Sequence, residues 1–116
     1  MGPFPADDFD QLDDLALDQL PFGVIGIGAD GIVRRYNRVE ATRSGLSRWR
    51  VIGRAIHEIA GAMGAHDLAS RISAFAAAPT GGMRFECRLG RPGRTDRATV
   101  VLRRGGERAN VYVCIA

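Results

Sequence analysis

The chain contains no lysine; all sixteen of its basic residues are arginine. That excludes Schiff-base chemistry and the phosphate-binding lysine of a P-loop. Long apolar runs are also missing, and nothing approaches the ~18 residues of a membrane-spanning helix. The first residues lack the basic flank and apolar stretch of a secretory signal, so a cytoplasmic location is expected and a membrane partner is not. Cysteine is scarce, and Cys87 and Cys114 carry no metal-ligand spacing. Each lies in an alternating, strand-like segment, where a small buried hydrophobe is the plain reading. With only His57 and His66, no serine–histidine–aspartate order stands out, nor does any paired carboxylate setting. Whether the chain is an enzyme is left open, leaning to no. Aromatic and basic residues do not interleave as in RNA-reading modules, so no nucleic-acid partner is expected.

What is present is the composition of one soluble domain: 116 residues, 46% hydrophobic and 25% charged. Abundant Ala, Gly and Arg without Lys point to a GC-rich bacterial genome. Charge is unevenly distributed. Residues 1–20 hold Asp7, Asp8, Asp10, Asp13, Asp14 and Asp18 and no base, while all sixteen arginines follow, for a net charge of +3. An acidic segment on a basic body can dock on it, and opposes nucleic acid approaching that face.

The division expected is an acidic N-terminal segment over residues 1–20 and a folded domain over residues 21–116. Residues 1–8 read as disordered. Phe9, Leu12, Leu15, Ala16 and Leu20 recur at helical spacing, which predicts an amphipathic cap helix ended by Pro21. Residues 22–28 and 32–37 read as strands around the Asp30-Gly31 turn. Short helices follow near residues 38–43 and 55–60, with a short turn around residues 49–51 between them, then a longer helix over residues 67–78 with Leu68, Ile72, Phe75 and Ala76 on one face. Trp49 reads as a half-buried anchor. Alternating segments at residues 83–89, 97–104 and 109–115 complete five strands, with residues 91–96 as a turn-rich loop. This order is that of an α+β domain, an antiparallel five-stranded sheet with helices packed on one face.

Gly26-x-Gly28-x-x-Gly31 has the letters of a dinucleotide-binding loop. Such a loop must open a helix whose N-terminal N–H groups meet the pyrophosphate. Here Ile-Val-Arg-Arg-Tyr follows, which is a strand. Gly31 is the positive-φ residue of an Asp-Gly hairpin.

Phe22-Gly23, Asp30-Gly31, Tyr36-Asn37, Glu40, Ser44 and Val51-Ile52-Gly53 stand in an order and spacing that resembles photoactive yellow protein, a PAS-domain family. The acidic N-terminal helix is similar to that family's cap. The resemblance implies a PAS fold and a pocket in which Tyr36 and Glu40 hydrogen-bond a ligand atom, supported by Ser44. It also implies a chromophore cysteine that this chain lacks: gapless alignment places Met63 there, and a one-residue gap places Ala62. Neither supplies the thiolate that a thioester needs, so no covalent p-coumaroyl chromophore is expected. Leu46 stands where the family has its pocket-gating arginine.

Three arrangements of the remaining pair stay open. Tyr36 and Glu40, with Ser44 and Met63, form a small-molecule site; or they pair with each other or with backbone to pin the strand-to-helix junction; or Glu40 is exposed. PAS pockets also hold haem through an axial histidine, which makes His66 and His57 candidates and Met63 a possible partner. The leading expectation is a non-photoactive, small-ligand sensor acting through a partner protein, its bound state passed on by the acidic cap. The alternative is a ligand-free interaction module that dimerises through its sheet face, where Val111 and Val113 would have to lie open, or through the cap helix.

Overall fold

A computed structural model describes residues 9–62, 66–77, 82–91, 94–105 and 110–116. The strands are β1 (Gly23–Ile27), β2 (Val33–Tyr36), β3 (Met83–Arg91), β4 (Arg94–Arg104) and β5 (Val111–Ile115). The helices are α1 (Asp14–Asp18), α2 (Arg38–Ser44), α3 (Arg48–Val51), α4 (Ile56–Ala62) and α5 (His66–Ala77). The strands form one antiparallel sheet in the order β2-β1-β5-β4-β3.

The first hairpin forms as its residues dictate. Asp30 Oδ1 accepts from the Ile32 N–H at 3.1 Å, and Gly31 takes φ 80°, which a side chain would disfavour. Ile25 then faces Tyr36 and Gly26 faces Arg35 across the ladder. At the far end of α2, Gly45 takes φ 77° and returns its N–H to the Ala41 carbonyl, ending the helix.

Both faces of the central strands are buried. On one face Ile25, Ile27, Val100, Leu102, Val113 and Ile115 pack against Val51, Ile59, Leu68, Ile72 and Phe75 of the helices. Val111 and Val113 therefore lie in the helix-covered core, and an open-face dimer through them is ruled out. On the opposite face Val24, Tyr112 and Cys114 are covered by Phe9, Leu17 and Phe22, with Leu12 and Leu20 alongside. The Phe9 ring lies 5.3 Å from Tyr112 and 6.4 Å from Phe22. Burying Phe9 and Leu17 contributes roughly 1.5–3 kcal/mol each, enough to hold a short segment in place.

Several expectations are corrected. The segment over residues 9–20 is not one helix but a 3-10 turn, Phe9–Gln11, followed by the single short α1. Asp13 divides them, its Oδ1 accepting from the Ala16 N–H at 2.8 Å as an N-cap. The inward position is consequently Leu17, and Leu15 is 68% exposed. Residues 91 and 94–96 belong to β3 and β4, which extend towards each other in a long hairpin. Trp49 is 94% exposed rather than half-buried. The disorder read for residues 1–8 lies outside the described residues, as does Met63.

Candidate functional site

The site grows from the junction of β2 and α2. Asn37 is fully buried and caps α2, its Oδ1 accepting from Glu40 N at 3.1 Å and from Val24 N at 2.9 Å. Its Nδ2 donates to the Leu17 and Phe22 carbonyls, both at 2.9 Å. One side chain thus joins α1, β1 and α2, with every hydrogen-bonding capacity of the amide in use.

The cap places Tyr36, Glu40 and Ser44 at the buried end of the junction. The Tyr36 hydroxyl lies 2.6 Å from Ser44 Oγ, where either hydroxyl can donate, and donates to the Leu46 carbonyl at 3.1 Å. Ser44 Oγ also accepts from Leu46 N at 3.1 Å. Burial pushes the Tyr36 phenol up to about 12, with the Ser44 hydrogen bond opposing and the Glu40 charge adding. Tyr36 and Ser44 therefore meet.

Glu40 turns elsewhere. Its Oε1 accepts from Arg43 Nε at 2.8 Å, and its Oε2 from a terminal nitrogen of the same guanidinium. Burial raises the Glu40 carboxyl above the usual carboxylate range, and the Arg43 hydrogen bonds and charge pull against that rise. Gly23 makes room for it: a Cβ there would stand 2.3 Å from Glu40 Oε1. The Phe22-Gly23 pair of the sequence thus has a physical reason, close approach of strand backbone to a buried carboxylate.

Sequence reasoning missed Arg43, although its i+3 spacing from Glu40 on a helix was the available signal. The side chain of Ala62 and that of His66 lie outside the described residues, and His57 is exposed on α4. Among the described residues no group of three or more His, Cys, Asp or Glu is arranged to hold a metal. None of the described helices is long and apolar enough to cross a membrane. Beside the junction, a cleft of about 300 Å³ opens between α3 and α4, lined by Leu46, Arg50, Arg54, Glu58 and Ile59.

On the other sheet face the acidic segment docks on arginines. Arg35 donates to the Phe9 carbonyl at 2.7 Å and to the Leu12 carbonyl, and reaches Asp14 at 3.3 Å. Asp18 Oδ1 accepts from Arg38 N and from the Arg48 guanidinium, each at 2.8 Å. Asp10 Oδ1 accepts from the Tyr112 hydroxyl at 2.5 Å and from Asn110 Nδ2 at 3.0 Å. The Arg103 guanidinium sits 5.3 Å above the Phe9 ring.

A five-stranded antiparallel sheet in this order, with short helices on one face, is the PAS fold, and the solved structures similar to this chain include PAS domains. More particularly, it resembles the photoactive yellow protein domain of the sensor histidine kinase Ppr from Rhodospirillum centenum. That similarity has a TM-score of 0.82 and 25% identity, covering 93% of this chain and 96% of that one. The PAS domain of an HTR-like protein from Haloarcula marismortui is similar with a TM-score of 0.68 and 21% identity, covering 89% and 91%. The PAS domain of BvgS from Bordetella pertussis is similar with a TM-score of 0.70 and 18% identity, covering 88% and 80%. No family model matches the sequence, and no curated protein matches it.

Proposed function

We propose that this chain is a non-photoactive PAS module that works through protein contacts, passing its state to a partner protein or a second copy by way of the docked acidic segment. One observation carries this reading: the polar side-chain atoms of Tyr36, Glu40 and Ser44 are all engaged within the chain, by one another, by Arg43 and by backbone. A ligand oxygen entering there would have to displace an existing partner, and loses the advantage of preformed donors. The segment over residues 9–18 is held by the arginines and by Asn37, so its release exposes Tyr112, Cys114 and Val24 as a coherent apolar surface. Absorption spectroscopy and native mass spectrometry of the purified protein test the reading. It predicts no visible band and the mass of the bare polypeptide. A Soret band would establish haem instead, and a retained small molecule would establish a ligand sensor.

The ligand-sensor reading has its own support in the cleft between α3 and α4. Leu46, whose carbonyl accepts the Tyr36 hydroxyl, forms part of its wall, and Arg50 and Arg54 stand at its sides. A small aromatic acid suits the apolar wall and the Arg50 side of that cleft, Glu58 standing 3.9 Å from Arg54. A thermal-shift screen of such acids against the protein and its Tyr36→Phe variant decides between the readings. Stabilisation that the variant loses would favour the sensor.

A further inference from the structure

The two edges of the sheet are finished differently. At β2 the Val33 N–H donates to the Arg54 carbonyl and the Gly53 N–H to the Val33 carbonyl, each at 2.8 Å, and Ile32 bridges Ala55. The chain itself closes that edge. The other edge is β3, nine residues from Met83 to Arg91, and among the described residues no strand or bridge pairs with its outer side. An open edge of that length is a template for another strand.

The ladder fixes which backbone groups face outward. Thr99 and Ala116 exchange both backbone hydrogen bonds, at 2.9 and 3.0 Å, so Thr99 bonds towards β5. Its neighbours Ala98 and Val100 then bond towards β3, where they align with Cys87 and Phe85. The N–H and C=O groups of Arg84, Glu86 and Arg88 are therefore directed away from the sheet. The side chains of these three are exposed, whereas Phe85 and Cys87 are half-buried against the helix-covered core and Leu89 is buried.

A second β3 laid antiparallel on this edge, with a two-fold axis at Cys87, pairs the strand along its whole length. Glu86 then faces Arg88 of the second copy and Arg88 faces its Glu86, both as hydrogen-bonded pairs. Phe85 faces Leu89 of the second copy twice over on the helix side. Moving the axis to Glu86 would set Arg84 against Arg88. Moving it to Phe85 would leave residues 88–91 with no strand partner. Arg88 also lies directly across the ladder from Arg97, a like-charge pairing that an added carboxylate offsets. Glu86 stands 3.8 Å from Arg97 with both side chains exposed, so its carboxylate keeps room to accept from a second arginine. Above the edge, Arg71 of α5 covers the Phe85 ring at 4.5 Å and pairs with Asp67 at 2.8 Å. Ala74, in line with them on the helix, is exposed, so α5 presents a neutralised pair and a methyl group to a neighbouring copy.

We propose that two copies of this chain associate by antiparallel pairing of β3 with β3 about Cys87, joining their sheets into one. The pairing uses neither the docked acidic segment nor a ligand, and stands apart from both functional readings above.

Sedimentation velocity of the whole chain across a dilution series is expected to show a reversible dimer. Glu86→Arg and Arg88→Glu each set like charges opposite one another twice and weaken the dimer about tenfold, with circular dichroism unchanged. The two reversals combined in one chain restore it. Cys87 supplies a readout of register, because a non-hydrogen-bonded pair holds its Cα atoms about 4.5 Å apart, within disulfide range. Oxidation is run with glutathione disulfide at alkaline pH, since burial pushes the Cys87 thiol up. Two Cys87 thiols lose two protons and two electrons to one glutathione disulfide, giving one interchain S–S bond and two glutathione thiols. Cys87→Ser removes that cross-link and keeps the dimer, while Cys114→Ser changes neither. A chain that stays monomeric at high concentration would overturn the proposal. So would a dimer indifferent to the single reversals, a double reversal that fails to restore it, or a dimer whose Cys87 thiols do not cross-link.

Discussion

Asn37 donates its side-chain amide to the Leu17 carbonyl at 2.9 Å, so the residue that starts α2 also holds α1 against the sheet. Stability of the domain core and docking of the acidic segment are joined through that bond.

Asn37→Ala removes a helix cap and leaves the Leu17 and Phe22 carbonyls without this donor. The expected cost is about 2–4 kcal/mol, read by urea denaturation. Asn37→Asp keeps the acceptor oxygen but turns the donor into a second acceptor facing those carbonyls. It is expected to loosen residues 9–20 more than the rest, seen as faster hydrogen exchange there.

Replacing Arg43 by Met leaves Glu40 buried without its counter-charge, and about 3 kcal/mol of stability is lost at neutral pH. The sign of the pH dependence follows from the raised carboxyl. The folded state holds the Glu40 proton more tightly than the unfolded chain does. Its contribution therefore favours folding at low pH and declines as pH rises from the ordinary carboxylate value through the raised one. Arg43→Met steepens that decline and Glu40→Gln removes it; melting temperatures across acidic to neutral pH check both.

Gly23→Ala drives a methyl group into Glu40 Oε1, and a loss of about 1–3 kcal/mol is expected. Glu40→Ala in the same chain relieves the clash. The two substitutions are therefore non-additive in a double-mutant cycle of denaturation free energies.

Arg35→Ala takes away the hydrogen bonds to the Phe9 and Leu12 carbonyls. Roughly 1.5–3 kcal/mol is lost, as for hydrogen bonds to a charged group. Limited proteolysis is expected to cut first within residues 9–14, and the remaining fragment to keep its β-sheet signal.

Local punctuation made most of the fold legible. Asp30-Gly31 announces a hairpin because only a positive φ closes it, and Gly45 marks the end of α2 for the same reason. The spacing of Leu68, Ile72 and Phe75 points one side of α5 inward, where all three are buried, whereas Ala76, read on the same face, is exposed. Periodicity misled at residues 9–20, where Asp13 competes for the backbone and resets the inward face to Leu17. Trp49 was misplaced because side-chain chemistry argues for burial while position on a four-residue helix decides otherwise. At the site, support of Tyr36 by Ser44 was implied by the family resemblance. The direction of the Glu40 carboxylate was not, since a rotamer choice between Arg43 and Tyr36 is set by packing around Gly23.

Pairing of β1 with β5 has a consequence for how the molecule comes into being. Gly23 aligns with Ile115 and Ile27 with Val111, so the first strand and the last lie at the centre of the sheet. β1 leaves the ribosome before β5, and its ladder on one side stays open until residues 111–115 have emerged. Contacts of such long sequence separation cannot form until both strands are out, so the sheet is completed late. During that interval the first hairpin has an unpaired edge, and Phe9 and Leu17 have no finished surface to cover.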